Sequence, residues 1–170
     1  MKKDNTIFRF TIHKMQKQNK MEKLTLEELA IAFTYDYSLQ YFDDEREILH
    51  NDCKIIELRK EEMTIGNGEY EYEVGFDDVY IIAKPLSALI DNILDDGNDA
   101  NYNLHNELCD LINASDCTHF VKALIENKYY AVDVRLWKDI EKWFNKNHFD
   151  WKFNLIGQQK AININTINLK

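Results

Sequence analysis

Two histidines and two cysteines lie close together in the second half of the chain and could bind a metal ion. They are His105, Cys109, Cys117 and His119. The first two are four residues apart, so on a helix their side chains share one face. Two sulfurs and two imidazoles could complete a tetrahedral zinc site, although the spacing matches no standard zinc finger. The alternative interpretation is that the cysteines fill core gaps and the histidines lie at a helix surface and a cap. No metal or other cofactor is therefore assigned, and the four residues are kept as zinc candidates.

The most ordered charged feature is a segment in which acidic and aromatic residues alternate, Glu69-Tyr70-Glu71-Tyr72-Glu73-Val74. On a strand, residues two apart face the same side at intervals of roughly 6.6–7 Å, so the three glutamates would align. That interval is close to the phosphate spacing along a nucleic-acid strand, roughly 6–7 Å. We predict a partner-binding surface, called the acidic row, formed by Glu69, Glu71, Glu73, Asp77 and Asp78. The alternative is an ordinary half-exposed strand with its polar face outward.

Other arrangements that could do chemistry have weaker support. Residues Asp95–Asn101 lack the ligand pattern of an EF-hand and predict a solvated turn instead of a calcium site. Ser87 is not surrounded by a Gly-x-Ser-x-Gly motif, and Cys53 with His50 is a poorly placed nucleophile and base. Glycine-rich loops that cradle phosphates are absent from the sequence. We therefore predict a protein that is not an enzyme and assign no catalytic residue.

These side chains must be positioned by elements that the sequence also predicts. Thr25 can cap a first helix, and Glu28 lies three residues later, as a capping box requires; the helix is expected to end near Phe33. The middle third is rich in β-branched and aromatic residues, which predicts strands at Tyr35–Phe42, Ile48–Leu58, Met63–Ile65, Glu69–Phe76 and Val79–Ala83. Gly66-Asn67-Gly68 predicts a hairpin turn.

The second half is predicted to be mostly helical. Helices are expected at Leu86–Leu94, Asn103–Ala114, Thr118–Glu126 and Val134–Asn147, followed by a short final strand within Ala161–Leu169. This order predicts an α+β fold class, with a mainly antiparallel β-meander in the first half and several helices in the second. Residues 21–170 would form a single acidic domain, and residues 1–20 a basic N-terminal extension that is an arm or an extra strand.

The net charge of −9 is distributed unevenly. Residues 1–20 carry six basic and one acidic side chain, a net charge of +5, so the remainder carries 15 basic and 29 acidic side chains, a net charge of −14. An acidic body repels nucleic acids and anionic membranes but is attracted to basic protein surfaces. Three cysteines without a pairing pattern favour reduced thiols in a cytoplasm. The sequence contains neither a membrane-spanning stretch nor a signal peptide.

Three groups of short elements carry a family resemblance. They are Leu24–Ala30, the junction Ile81–Leu89, and a closing group made of His148–Asp150, Leu155-Ile156 and Ala161–Thr166. In this order they resemble a family of small uncharacterised proteins encoded in phages and prophages of Bacteroidetes. The resemblance implies a phage or mobile-element origin and brings no known activity. The family begins near Met21, which leaves residues 1–20 either as a real arm or as the product of an upstream start codon.

Together these features predict a non-enzymatic, phage-encoded accessory protein that acts by binding a protein partner. The sharpest version is an inhibitor of a host nucleic-acid-handling defence system such as a CRISPR nuclease, an anti-CRISPR protein that blocks a basic channel with the acidic row. One alternative is a structural or assembly component of the phage particle, in which the basic arm joins neighbouring acidic subunits. Another is a small zinc-dependent enzyme. The expected location is the cytoplasm of the bacterial host, or the virion if the assembly alternative holds, and the oligomeric state is left open.

Overall fold

The computed structural model describes residues 23–91, 93, 97 and 99–167, and its contacts divide the chain into two compact units. Unit 1 comprises the described residues up to Ala83 and those from Asn154 onwards, and unit 2 comprises Lys84–Phe153. Unit 1 is therefore built from two separate stretches of the chain. The predicted basic extension at residues 1–20 lies outside the described residues.

Helix α1 (Leu26–Thr34) begins unit 1, and the predicted capping box fixes its start. Thr25 Oγ1 accepts a hydrogen bond from the Glu28 backbone N–H at 3.2 Å, and Glu28 Oε2 accepts one from the Thr25 N–H at 2.8 Å. This exchange satisfies two N–H groups that have no partner inside a helix. Leu29 is fully buried, so α1 packs its apolar side into the core. The helix ends one residue beyond the predicted end.

The described residues form seven strands, which are β1 (Leu39–Asp43), β2 (Ile48–Leu58), β3 (Glu62–Gly66), β4 (Glu71–Gly75), β5 (Val79–Pro85), β6 (Phe149–Asp150) and β7 (Ala161–Asn163). In unit 1 the strand order is β4-β3-β2-β1-β5-β7. Every pairing in this order is antiparallel except that of β5 with β7, which is parallel. All five strands predicted in the middle third are present, and β2 has the predicted bounds.

Two strands begin later than predicted because local turns occupy their first residues. β1 begins at Leu39 and not at Tyr35, since Tyr35 caps the end of α1 and Asp36 has a positive φ of 56°. β4 begins at Glu71 because Asn67 Oδ1 accepts hydrogen bonds from the N–H groups of Glu69 and Tyr70. The predicted hairpin turn is therefore confirmed, with Gly68 at a φ of 88°.

A buried ion pair joins the two stretches of unit 1. Lys160 Nζ lies 3.1 Å from Glu28 Oε1 and 3.4 Å from Glu28 Oε2. The two side chains are only 5% and 6% exposed, so the pair is almost fully removed from water. Lys160 directly precedes β7, and its backbone oxygen accepts a hydrogen bond from the Ile81 N–H of β5 at 3.3 Å. The ion pair and the β5–β7 pairing therefore hold the returning chain at the same point.

Unit 2 consists of β6 and a set of helices. These are a 3-10 helix at Leu86–Leu89, α2 (Ala100–Leu111), α3 (Thr118–Ile125), a 3-10 turn at Val134–Leu136, and α4 (Trp137–Lys146). The last two residues of β5 pair in parallel with β6. The fully buried side chains of Leu89, Leu108, Phe120, Ile140 and Phe144 form the centre of its core.

Two predicted elements of the second half are shorter in the structure. The predicted helix Leu86–Leu94 is a single 3-10 turn that ends at Leu89, because the backbone of Ile90 leaves the helical region at a φ of −132°. The predicted final strand ends at Asn163, whose side chain accepts a hydrogen bond from the Asn165 N–H and begins a 3-10 turn at Ile164–Thr166. A polar capping residue therefore ends the final strand, whereas a change of backbone conformation ends the 3-10 turn.

The predicted α+β fold class is confirmed. A mainly antiparallel sheet is formed by the first half of the chain, and helices dominate the second half. Within the described residues, every helix is too short or too polar to cross a bilayer.

The buried ion pair leads to a stability prediction. Lys160→Met leaves the Glu28 carboxylate buried without its charge partner. We therefore expect the free energy of unfolding, measured with urea, to fall by about 3–5 kcal/mol. Glu28→Gln/Lys160→Met leaves no buried charge and should be more stable than Lys160→Met alone. Lys54→Met is the matched control, because Lys54 and its partner Asp36 are 37% and 79% exposed, and loss of an exposed pair costs about 0–1 kcal/mol. Equal losses for the buried and the exposed lysine would contradict this prediction.

Candidate functional site

The acidic row lies along an edge of the sheet of unit 1. Among the described strands, β4 pairs only with β3, so one side of its backbone is not covered by another strand. Glu71 and Glu73 are two residues apart on β4, and both side chains are exposed, whereas Val74 is buried. Glu69 is also exposed, but it belongs to the hairpin turn. The row is therefore two glutamates on a strand preceded by one in a turn.

One end of the acidic row lies beside an arginine. Arg59 lies 3.8 Å from Glu73, and its guanidinium also contacts Glu57 at 3.2 Å and Glu62 at 3.3 Å. Three carboxylates thus surround one positive charge, and Glu73 keeps 76% of its side chain exposed. A groove of about 780 Å³ is lined by Arg59, Glu62, Glu73 and their neighbours. This end of β4 therefore offers a shallow surface with an excess of negative charge.

The two aspartates that follow β4 have different positions. Asp78 Oδ2 accepts a hydrogen bond from the Gly75 N–H at 2.9 Å, so this carboxylate closes the turn between β4 and β5. A Cβ atom at position 75 would lie 2.9 Å from Asp77 Oδ1 and 3.2 Å from Asp78 Oδ2, so glycine permits both carboxylates to approach the backbone. Asp77 is exposed and Asp78 is half-buried. The exposed charge is therefore carried chiefly by the three glutamates and Asp77.

A chain of hydrogen bonds connects three strands behind the acidic row. The Asn67 side-chain oxygen is used by the hairpin turn, so its Nδ2 donates to His50 Nδ1 at 3.3 Å. His50 must then carry its proton on Nε2, which donates to the Tyr72 hydroxyl at 3.1 Å. The Tyr72 hydroxyl donates to Asp43 Oδ2 at 2.9 Å, and Arg46 Nη1 donates to the same oxygen at 2.8 Å. We call Asn67, His50, Tyr72, Asp43 and Arg46 the polar network.

The electrostatics of the polar network favour a structural role over a catalytic one. Burial alone would raise the pKa of Asp43, but the hydrogen bonds from Arg46 and Tyr72 outweigh it and lower that pKa from 3.8 to about 2. Burial and the adjacent Asp43 carboxylate raise the pKa of Tyr72 from 10.0 to about 12. Both ring nitrogens of His50 are engaged. These groups satisfy one another and hold the turn between β3 and β4 and the turn between β1 and β2.

The polar network was not predicted from the sequence. From the sequence, His50 was considered only as a poorly placed base for Cys53. In the structure the His50 ring forms hydrogen bonds with Asn67 and Tyr72. Cys53 is completely buried, and burial raises the pKa of its thiol to about 12. The sequence carries one signal of the network, the tyrosine at position 72 opposite the acidic face. It contains no signal that selects a partner 22 residues away.

The structure brings together three of the four zinc candidates in unit 2. The metal-binding atoms of His105, Cys109 and Cys117 all lie within 4.8 Å of one another. Both cysteines are buried free thiols. His105 Nδ1 lies 3.4 Å from Cys117 Sγ and 2.7 Å from the Leu89 backbone oxygen. His119 is exposed on α3 and is not one of the three grouped residues.

Two further residues that the sequence offered as candidates, Ser87 and Asp99, lie in a turn and at a helix cap. Ser87 lies in the 3-10 turn Leu86–Leu89, and its backbone oxygen accepts hydrogen bonds from Ile90 and Asp91. The calcium-like segment lies partly outside the described residues, and within it Asp99 caps α2 by accepting a hydrogen bond from the Asn101 N–H at 2.8 Å. Asp99 therefore acts as a helix cap.

Comparison with protein-family models, with curated protein sequences and with solved structures gave no match. The resemblance to a family of phage proteins therefore stays a prediction carried by short sequence elements. Two of these elements belong to unit 1, where Leu24–Ala30 contains the capping box and Ala161–Thr166 contains β7.

The polar network predicts a specific dependence of stability on pH. The pKa of Asp43 is lower in the folded protein than its ordinary value of 3.8, so its contribution to stability is present above that value and is lost as the pH falls toward about 2. Asp43→Asn should therefore destabilise the protein more at about pH 7 than at about pH 2.5, as measured by urea unfolding. Asp44→Asn, at the exposed neighbouring position, should show no such difference. If Asp43→Asn lowered the free energy of unfolding equally at both pH values, the lowered pKa of Asp43 would be refuted.

Proposed function

We propose that this chain is a non-enzymatic, phage-encoded accessory protein that binds a basic protein partner along the β4 edge. The observation that carries the proposal is the presence of exposed, aligned carboxylates on a strand whose outer side is unpaired among the described strands. Such an edge offers a partner two kinds of contact, ionic contacts to the carboxylates and hydrogen bonds to the backbone. Both the ionic contacts and the backbone hydrogen bonds favour an extended basic segment that lies along β4.

The ionic contribution follows from the charge distribution. A net charge of −14 after residue 20 attracts basic surfaces over distances of about a Debye length, roughly 8–10 Å at physiological salt. Glu71 and Glu73 then provide the short-range contacts, because alternate residues of a facing strand lie opposite them. Arg59 neutralises only part of this charge, since it is shared by three glutamates. Association should therefore be fast and sensitive to salt.

The backbone contribution follows from the edge position of β4. A partner segment in extended conformation can add to an edge strand and pair with its outward N–H and C=O groups. The polar network holds the turn before β4 and joins Tyr72 of β4 to Asp43 of β1 and His50 of β2. A surface held in this way loses little freedom when it binds, which favours affinity.

The sharpest form of the proposal is inhibition of a nucleic-acid-handling enzyme of the host defence, such as a CRISPR nuclease. The guide and target of such an enzyme lie in a positively charged channel that recognises backbone charges. Carboxylates spaced roughly 7 Å apart along β4 resemble successive phosphates of a nucleic-acid strand. The acidic row would compete with nucleic acid for that channel, so the inhibitor would act without catalysis.

The proposal predicts the effect of neutralising the acidic row. Glu69→Gln/Glu71→Gln/Glu73→Gln removes three exposed charges without large changes in shape. We expect it to weaken binding to an immobilised RNA-guided nuclease at least tenfold and to relieve inhibition of DNA cleavage. Binding of the unmodified protein should weaken as salt is raised, and the triple variant should show a shallower dependence.

The matched control changes the net charge by the same amount elsewhere. Asp44→Asn/Asp91→Asn/Asp110→Asn also removes three exposed carboxylates, none of which belongs to β4. If both triple variants lose binding equally, net charge and not the β4 edge is responsible. If the variant with three glutamines in the acidic row binds normally but self-associates in size-exclusion chromatography, the glutamates serve only to prevent pairing of β4 with the β4 of another copy. Either result overturns the proposal.

A further inference from the structure

Three potential ligand atoms lie close together in unit 2, and two of them are spaced as they would be around a metal ion. Zn–S and Zn–N bonds of about 2.3 and 2.0–2.1 Å place two ligands of one tetrahedral zinc roughly 3.5–3.8 Å apart. The distance of 3.4 Å between His105 Nδ1 and Cys117 Sγ is close to this value. All the atoms of the group, including Cys109 Sγ, lie within 4.8 Å of one another. Three-point coordination would require the side chains to close the longer separations and His105 Nδ1 to give up its hydrogen bond to the Leu89 oxygen.

Regular elements of the fold hold these three residues. His105 and Cys109 lie one turn apart on α2, so their side chains share a face of that helix. Cys117 is the residue that caps the start of α3, and its backbone oxygen accepts a hydrogen bond from the Val121 N–H at 3.0 Å. The Cys109 backbone oxygen accepts one from the Ala114 N–H, also at 3.0 Å. Ligands on fixed backbone positions are arranged before the metal arrives.

A carboxylate lies near the other ring nitrogen of His105. His105 Nε2 is 3.6 Å from Asp116 Oδ1. The same oxygen accepts hydrogen bonds from the Thr118 backbone N–H at 2.8 Å and from Thr118 Oγ1 at 2.6 Å, which fix its position. A histidine that binds zinc commonly donates its other ring N–H to a carboxylate, which sets the tautomer and the ring orientation. Asp116 therefore lies where it could accept the Nε2 proton of a His105 whose Nδ1 binds a metal ion.

We propose that His105, Cys109 and Cys117 bind one zinc ion, with Asp116 as a positioning residue. In the metal-free protein, His105 Nδ1–H donates to the Leu89 backbone oxygen at 2.7 Å, because a carbonyl oxygen can only accept. On binding, the Nδ1 lone pair coordinates zinc, the ring proton lies on Nε2 facing Asp116, and the two thiol protons are released to solvent. A water molecule takes the fourth position. The ion would join α2 to the start of α3 within the buried core of unit 2.

Metal titration of the intact protein tests the proposal. Chelator-treated protein, kept reduced, is titrated with cobalt(II) and then with zinc(II). We expect one equivalent of cobalt to give a thiolate-to-cobalt charge-transfer band and intense visible bands of tetrahedral coordination, and zinc to abolish both. Zinc should also raise the thermal midpoint, because it binds the folded state. Absence of the charge-transfer band and of bound zinc would overturn the proposal.

Variants with matched controls identify the ligands. His105→Gln and Cys109→Ser should each abolish the cobalt–thiolate spectrum or reduce zinc affinity strongly, while Cys53→Ser, a buried cysteine of unit 1, and His119→Gln should leave both unchanged. If Cys53→Ser or His119→Gln removes binding as strongly, the assigned ligand set is wrong.

Asp116→Asn tests the positioning role in a variant that does not disturb the core. The Asp116 side chain is 61% exposed, so the variant should fold. We expect zinc affinity to fall roughly 10–100-fold with the cobalt spectrum retained. Unchanged affinity would show that Asp116 does not position His105.

Discussion

The buried ion pair between Glu28 and Lys160 is the interaction on which unit 1 depends. The chain leaves unit 1 after Ala83 and returns at Asn154, so the sheet is complete only when the returning segment is placed correctly. Lys160 carries its charge into the core, where it pairs with Glu28, and its backbone oxygen accepts a hydrogen bond from β5. A displaced segment would separate the two buried charges from each other, at a cost of several kcal/mol. The pair therefore selects the register of β7 on β5 as well as stabilising it.

The same physical argument explains the edge on which the proposed function rests. Asp43 of β1, His50 of β2 and Tyr72 of β4 are polar groups turned toward one another, and each uses its donors and acceptors on a neighbour. Because they are satisfied internally, they fix the strand edge and leave the charges on its outer face to interact with a partner. The aromatic contact of Tyr41 with Tyr72, with ring centroids 4.7 Å apart, adds an apolar layer to this support. The face of β4 that carries Tyr72 is therefore fixed by the polar network, and the opposite face carries the exposed glutamates.

Local signals predicted the fold where the physical cause is local. The capping box of α1, the bounds of β2 and the hairpin at Gly68 each depend on residues within a few positions of one another. The same reasoning failed where a side chain redirected the backbone, as Asn163 does after β7. Contacts between distant residues could not be predicted, because nothing near Lys160 indicates that its partner lies 132 residues earlier.

The zinc candidates show the same division within one cluster. Helical periodicity placed His105 and Cys109 on one face of α2, and that depends on a spacing of four residues alone. The path of the chain between α2 and α3 decided the rest, since it turned Cys117 inward as the cap of α3 and left His119 on the exposed side. Asp116 gained a role for the same reason, because the turn directs its carboxylate at the histidine. The acidic row belongs to unit 1 and the grouped histidine and cysteines to unit 2, so variants of the two proposed sites replace different residues and test the two proposals separately.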